Sequence, residues 1–350
     1  MAEQKQITIL DIARRTGLSK GTVDRVLHNR GEVSRKSYDK VMKVVRELGY
    51  EPNVNASLLA SRRSSTIAVL IPDAEKGTFW DVSLRGVALA SEGARSLGAS
   101  IVHIGYQPYD IDSFRMACSR ILEVKPDGVV LAPLYRHETL MLAEALKSRG
   151  IPYVYVDTKL EEDGYLAYYG MPMYKSGYLC GDLMSSGLPV ESVLIVRIRR
   201  ANEDRYDPNV SRRSGFMDYI LENNPECRIH SLFIDPTKPG QIGAALDAFF
   251  SEHPEVRHIA MFNSRIHLVA PYLTQNSNRP LRVIGYDNLD ANVEALRCGT
   301  VSVLITQHPE EQVHQAILTL AECIALKKLP ARRDNFIHMD ILTRYNVDNY

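Results

Sequence analysis

The chain lacks cysteine pairs at any ligand or redox spacing. Its five cysteines (Cys118, Cys180, Cys227, Cys298 and Cys323) are odd in number and scattered over 350 residues. That excludes a disulfide framework and a cysteine-based zinc site, and it fits free thiols in a reducing compartment. A run of about 18 apolar residues is also missing, so no membrane span is expected. Met1 to Gln6 is polar, without the apolar stretch of a secretory signal, which makes a cytoplasmic protein the expectation. The phosphate loop GxxxxGK[ST], the dinucleotide fingerprint GxGxxG, the nucleophile elbow GxSxG and the metal helix HExxH are all absent. No enzyme, no cofactor and no metal site is therefore expected. The ten histidines are dispersed, and His253 and His258, five apart, are not a helical ligand pair. There is no internal repeat and no low-complexity stretch.

What the chain does contain is ordinary globular material, 45% apolar and 24% charged, in a length that suggests two or three domains. Lysine plus arginine balance aspartate plus glutamate at 42 each, yet the balance is uneven along the chain. Residues 1–63 carry 13 basic against 7 acidic side chains, and the remainder 29 against 35. A small basic head on an acidic body is the distribution that nucleic-acid binding by one end would produce.

The head reads as three short helices. Thr8-Ile9-Leu10-Asp11 has the form of a capping box, Ile9, Ile12 and Ala13 share one face, and the first helix stops at Gly17. After the turn Thr16-Gly17-Leu18, Ser19 is an N-cap for a second helix to about Asn29, with Val23, Val26 and Leu27 inward. Ser34 caps a third, with Tyr38, Val41, Met42, Val45 and Leu48 inward and Gly49 closing it. Three helices with a glycine-containing turn between the first two make a helix-turn-helix. Lys20, Gly21, Thr22, Asp24, Arg25 and His28 are left on the outer face of the second. Lys20 and Arg25 can donate to guanine or phosphate, Thr22 can reach phosphate or a thymine methyl, and Gly21 lets the backbone come close. The same residues would also serve as the solvated face of an amphipathic helix.

Residues 7–62 resemble the DNA-binding head of the lactose-repressor/galactose-repressor (LacI) family. The likeness is carried by Thr8 to Thr16, Gly17-Leu18-Ser19, Thr22-Val23, Arg25-Val26-Leu27, Val33-Ser34, Leu48-Gly49-Tyr50 and Pro52-Asn53. It implies groove reading by Lys20, Gly21, Thr22 and Arg25. Asp24 departs from the family, which usually has serine there beside a phosphate. An acid at that position would be repelled by phosphate unless it accepts a cytosine amino proton or pairs with Arg25. The resemblance also implies a hinge helix over Asn53 to Ala60 that orders on DNA and pushes Leu59 into the minor groove, an apolar wedge that kinks a base step. Packing of Leu58 and Leu59 on the body is the alternative. The expected DNA contacts are Thr8, Ser19, Lys20, Gly21, Thr22, Asp24, Arg25, His28, Ser34, Asn53, Ala56 and Leu59.

From Thr66 onward, short β-branched runs alternate with amphipathic segments. Strands are expected at Thr66–Ile71, Ser100–Ile104, Gly128–Leu131, Tyr153–Val156, Val193–Val196, Ile229–Phe233, His258–Phe262, Arg282–Gly285 and Val301–Ile305. Helices fall between most of them, such as Trp80–Leu97, Glu138–Arg149 and Pro309–Lys327. Such alternation means parallel sheets covered on both faces, and 285 residues are more than one ordinary core. Ligands of such sheets sit beyond the carboxyl ends of the strands. There the chain has Asp73, Phe79, Trp80, Asp157, Thr158, Arg197 to Asp207, Asp235, Asn263-Ser264, Asp287-Asn288 and Gln307. Carboxylates, amides and an aromatic pair suit a polyhydroxylated ligand, although any one acid taken alone is as well read as a solvated or capping residue.

The body resembles the periplasmic sugar-binding-protein fold that LacI-type repressors carry as their effector domain. The matching positions are Phe79-Trp80, Asp157, Arg212 before Gly215-Phe216, Asn263, Asp287 and Gln307, with Ser264 where the family has a second acid. The expected effector contacts are Asp73, Phe79, Trp80, Asp157, Arg212, Asn263, Ser264, Asp287 and Gln307. Arg212 could also meet a sugar acid or phosphate. The expected fold class is an all-α helix-turn-helix head plus an α/β body, two-lobed and periplasmic-binding-protein-like (type I), with parallel Rossmann-like sheets. The expected bounds are 1–52 for the head, 53–65 for hinge helix and linker, and 66–350 for the body. One lobe would hold about 66–164 and 308–328, the other about 165–307 and 329–350.

Together these readings describe a bacterial, sugar-responsive transcription regulator, a repressor, that binds a pseudo-palindromic double-stranded operator as a homodimer or tetramer. A transport-type sugar receptor without regulation, and an α/β nucleotide- or sugar-modifying enzyme fused to a DNA-binding head, are the alternatives. The absent signal and the presence of the head argue against the first, the absent motifs against the second.

Overall fold

The computed structural model describes residues 7–27, 33–48, 64–160, 164–186, 189–198, 207, 209–238, 240–276 and 280–349. The chain divides into two compact units, Met1–Arg63 and Ser64–Tyr350. In the first, Thr8 caps helix α1 (Ile9–Thr16): its hydroxyl accepts from the Asp11 amide, and the Asp11 carboxylate takes the Thr8 amide at 2.9 Å. Gly17 ends the helix with φ 65°, a left-handed conformation that glycine adopts without a Cβ penalty. Helices α2 (Lys20–Leu27) and α3 (Arg35–Leu48) follow. Ile12, Ala13, Val23, Val26, Val41 and Val44 form the core of this unit. Tyr38, expected inward, is 43% exposed. It lies at the edge of the α3 stripe, and Val44 fills the centre in its place.

The second unit holds two six-stranded sheets. Along the chain come β1 (Ser65–Leu70), α4 (Phe79–Ser96), β2 (Ala99–His103), α5 (Ile111–Val124), β3 (Gly128–Leu131), α6 (Arg136–Ser148), β4 (Tyr153–Asp157) and β5 (Ala167–Gly170). The chain then crosses over and builds α7 (Met173–Ser185), β6 (Ser192–Ile198), α8 (Asn209–Asn223), β7 (Arg228–Ile234), α9 (Gln241–Glu252) and β8 (His258–Ala260). After α10 (Ala270–Gln275) come β9 (Arg282–Tyr286), α11 (Asp290–Arg297) and β10 (Val303–Ile305). It returns with α12 (Pro309–Leu326) and β11 (Asp334–Phe336), and crosses a third time to β12 (Ile341–Leu342). The orders are β11-β5-β4-β3-β1-β2 and β12-β10-β9-β8-β6-β7. All pairings are parallel except β10 with β12.

Strands such as Val129-Val130-Leu131 are fully buried because helices cover both faces, which is why they read as unbroken apolar runs. On one face of the first sheet Phe114, Ala117 and Ile121 of α5 pack with Leu142 and Leu146 of α6; on the other, Ala90 and Ala94 of α4 pack with Val313, Ile317 and Leu320 of α12.

One expectation is corrected. Residues 165–170 and 329–336, assigned from the sequence to the second lobe, supply β5 and β11, and both pair in the first sheet. Asp334 fixes the edge strand there, taking the Lys159 ammonium and the Tyr165 hydroxyl (2.9 Å). The crossovers therefore fall after β5, after β10 and after β11. At two of them His308 (φ 49°) and His338 meet with ring centroids 4.2 Å apart and planes tilted by 38°, and His308 donates to Asp340 at 2.8 Å.

Candidate functional site

In the first unit the buried pair Val23 and Val26 sets which face of α2 is turned outward. Ser19 caps the helix: its Oγ accepts from the Thr22 amide at 3.1 Å and lies 2.9 Å from the Thr22 hydroxyl. Ser34 does the same for α3, accepting from the Ser37 amide at 3.3 Å. Lys20, Gly21 and Arg25 are exposed on one face, with Thr22 and Asp24 half-buried beside them. Thr8, Ser19 and Ser34 thus have defined roles as helix caps, which orients them at helix N-termini where backbone N–H groups favour an anion. His28, Asn53, Ala56 and Leu59 lie outside the described residues, as does the whole segment read as a hinge helix.

In the second unit a cavity of about 550 Å³ lies at the carboxyl ends of the strands. The first lobe contributes Lys76, Phe79, Trp80, Tyr109 and Asp157; the second contributes Arg197, Arg212, Asn263, Ser264, Arg265 and Asp287, and Gln307 comes from the crossover after β10. Eight of the nine sequence-predicted effector residues therefore line one space. The ninth, Asp73, does not: its carboxylate lies where a Cβ at Gly105 would stand, and it is exposed. Neither Thr158, Asp235 nor Asn288 lines the cavity. Asp235 closes its own turn, accepting from the Thr237 amide (3.0 Å) and hydroxyl (2.7 Å).

Asp157 and Asp287 stand at equivalent places, the ends of β4 and β9, and both have positive φ (66° and 68°). Aspartate tolerates that region better than most residues, and the conformation turns the chain sharply at the cavity. Asp287 is 2% exposed. One carboxylate oxygen accepts from Gln307 Nε2 at 3.2 Å; the other, Oδ1, is buried with no hydrogen-bond partner among the described residues. Burial raises its pKa to about 7, opposed by the Arg212 charge and the Gln307 hydrogen bond.

Arg212, also 2% exposed, lies over the Tyr286 ring with its guanidinium carbon 4.1 Å from the centroid. It donates to Ser176 (3.1 Å), Asn209 (3.2 Å), Gln307 (3.3 Å) and the Phe262 carbonyl. The guanidinium is thereby held flat and rigid beside Asp287. Phe79 and Trp80 meet edge to face, centroids 4.9 Å apart at 85°, and offer an aromatic wall. Asn263 donates to the Ile198 carbonyl at 3.2 Å and accepts from the Arg265 amide at 3.2 Å.

Two buried amides that the sequence reading did not single out hold this geometry. Gln312, in the first turn of α12, accepts from the Asp157 amide (2.9 Å) and donates to the Gln307 carbonyl (2.7 Å), linking two cavity residues. Asn292 of α11 donates to the carbonyls of Ser264, Tyr286 and Asp287 at 3.0–3.1 Å and accepts from the His267 ring and amide. Nothing in their spacing separates them from solvated helix positions. The clue lies only in the fold, which brings both helices' first turns under the strand ends.

Comparison with known proteins matches residues 8–53 to the bacterial regulatory proteins of the lacI family and residues 67–328 to the periplasmic binding protein domain. The chain is 32% identical to the HTH-type transcriptional regulator DegA of Bacillus subtilis over 146 residues, 41% of this chain and 42% of DegA. It is 24% identical to the regulator CelR of Thermobifida fusca over 82% of this chain and 84% of CelR. Among solved structures, one described as a LacI transcriptional regulator from Bacteroides fragilis is 32% identical with a TM-score of 0.77, covering 82% of this chain and all of that one.

Proposed function

Because the chain belongs to the LacI family of bacterial regulatory proteins and carries a periplasmic binding protein domain, we propose that it is a sequence-specific DNA-binding regulator whose operator affinity is set by a small carbohydrate bound between its two lobes. The observation that carries the carbohydrate reading is the orphaned, buried Asp287 oxygen beside the immobilised Arg212, in a cavity with an aromatic wall. A buried acceptor without a partner costs about 1–3 kcal/mol, and a ligand hydroxyl would recover that. Asp157, Asn263, Ser264 and Gln307 add planar acceptors and donors, and Phe79 and Trp80 cover the apolar side of a sugar ring.

In this reading Lys20, Gly21, Thr22 and Arg25 enter the major groove, with Thr8, Ser19, Asp24, His28 and Ser34 beside them, while Asn53, Ala56 and Leu59 act at the minor groove. A homodimer places two heads on a pseudo-palindrome, doubling the phosphate contacts. Closure of the lobes on ligand biases the DNA-bound state only through the ligand's different affinity for the two conformations. The capped head with its outward basic face argues for regulation over simple transport.

The test is fluorescence anisotropy of the purified full-length chain on double-stranded DNA from its own upstream region, with and without a panel of sugars. Arg25→Ala is expected to cost about 1–3 kcal/mol on the specific site and far less on random DNA. An equal loss on both would reduce Arg25 to a phosphate contact, and no response of DNA affinity to any sugar would remove the effector reading.

A further inference from the structure

We infer that the effector is an anionic carbohydrate whose carboxylate or phosphate seats on Arg265. This rests on the carbohydrate reading of the cavity and specifies its ligand class. Arg265 follows the Asn263-Ser264 pair at the end of β8 and lines the same cavity as Asp287 and Arg212. The five lysines and arginines that line it among the described residues differ in how they are occupied. Arg197 and Arg213 share Asp207, at 3.6 and 2.8 Å. Arg212 is spent on Ser176, Asn209, Gln307 and the Phe262 carbonyl. Lys76 is exposed at the first lobe's margin. Arg265 is different: among the described residues its guanidinium makes one hydrogen bond, a long one of 3.5 Å from Nη1 to the Ile198 carbonyl.

Among the described residues no carboxylate lies within ion-pairing distance of it. The Tyr109 ring reaches it from the first lobe, 5.4 Å from the guanidinium carbon. A half-buried guanidinium with most of its donors unused is an unfavourable arrangement for an empty cavity, and burial already lowers its pKa. Planar donor forks of this kind fit carboxylate and phosphate oxygens in pairs. A neutral sugar would leave the charge uncompensated. An acidic one would place its hydroxyls on Asp287 and Asp157 and its oxyanion on Arg265, with Tyr109 closing over the pair as the lobes come together.

The experiment is calorimetric titration of the full-length chain with matched sets: D-glucose, D-gluconate, D-glucuronate and D-glucose 6-phosphate, and the corresponding D-galactose series. At least one acid or phosphate is expected to bind about ten- to hundredfold more tightly than its neutral parent. Whether the tight binder carries a carboxylate or a phosphate identifies the source of the oxyanion. Arg265→Gln should erase that advantage over the neutral parent, and Arg265→Lys should restore part of it. If neutral sugars bind as tightly as their acids, or if Arg265→Gln leaves the acid's advantage intact, the inference falls and the carbohydrate reading stands. If no member of either series binds, the carbohydrate reading falls and takes the inference with it. Should Arg265→Gln fail to fold, the wild-type comparison of acid against neutral parent decides alone.

Discussion

Asp287 combines three costly features: burial, a left-handed backbone and a carboxylate oxygen without a partner. Each weakens the ligand-free protein, and together they suit a site that stores binding energy for a hydroxyl-rich ligand. Its pKa, raised to about 7 from an ordinary 3.8, gives the sign of the pH dependence. Where the folded state holds a proton that the unfolded chain has lost, stability falls as pH rises. The cost therefore opens above about pH 4 and is complete a little above pH 7. Asp287→Asn removes the charge, keeps the shape and tolerates the positive φ. We expect it to stabilise the ligand-free chain by about 1–3 kcal/mol at pH 8 and hardly at all at pH 4, while weakening effector binding about tenfold or more. Thermal midpoints across that pH range, with calorimetric titration of the effector, check both halves; a variant less stable than wild type at pH 8 would show that the carboxylate is satisfied. At this scale the strand-end rule makes Asp287, Asp157, Asn263 and Gln307 legible in the sequence, since each follows a short, largely apolar run. It misled at Asp73 because a strand end has two sides, and only the path of the next loop decides which faces the cavity. Arg265, Gln312 and Asn292 were invisible because polar side chains in loops and first turns look solvated until the fold buries them.

At the scale of elements, α7 and α8 cross at a point where neither helix carries a side chain. A Cβ at Gly177 would collide with the Arg212 carbonyl oxygen, and one at Gly215 with that of Tyr174. The close approach lets Ser176 of α7 accept from Arg212 of α8 at 3.1 Å, so the contact aims a cavity residue as well as joining two helices. Gly177→Ala must force the helices apart, because the opposing atom is backbone and cannot rotate away. We expect a loss of about 1–3 kcal/mol, measurable by urea denaturation, together with weaker effector binding as the guanidinium shifts. DNA binding by the head in the absence of effector should stay within about twofold. A fully stable Gly177→Ala chain would mean that the helices can slide past the added methyl. The elements themselves were legible where a strand has buried neighbours on both sides, as at Gly128–Leu131, or where a cap is spelled out, as at Thr8 and Asp11. Strands β5 (Ala167–Gly170) and β11 (Asp334–Phe336) were not. Ala-Tyr-Tyr-Gly is a four-residue segment whose two tyrosines are flanked by strand-poor Ala and Gly, Asp-Asn-Phe has little local strand preference, and their pairing comes from the tertiary context of Lys159, Tyr165 and Asp334. Without them the sequence alone puts the crossover one strand too early.

For the whole molecule, the proposed regulation is a coupling free energy between a cavity and a basic face on separate units. If effector changes DNA affinity by some factor, DNA must change effector affinity by the same factor and in the same direction. A coupling of about 1–3 kcal/mol corresponds to roughly 5–150-fold. The charge division of the chain supplies a control. The head's excess of basic residues makes DNA affinity fall steeply with salt through counterion release, whereas effector affinity, which rests on far fewer charge contacts, should respond far less. We therefore expect raising salt from about 50 to 200 mM to weaken DNA binding about a thousandfold or more, if six or more phosphates are neutralised. The coupling factor should stay nearly constant, since both DNA-bound conformations keep the same heads on the same phosphates. Measuring DNA affinity with and without effector, and effector affinity with and without DNA, at both salt concentrations closes the cycle. Asp287→Asn should raise the effector concentration needed for the response about tenfold or more without altering the salt slope. If the factor instead collapses with salt in the wild type, the effector acts on phosphate contacts directly, and a conformational change of the lobes is the wrong account of how the cavity reaches the DNA.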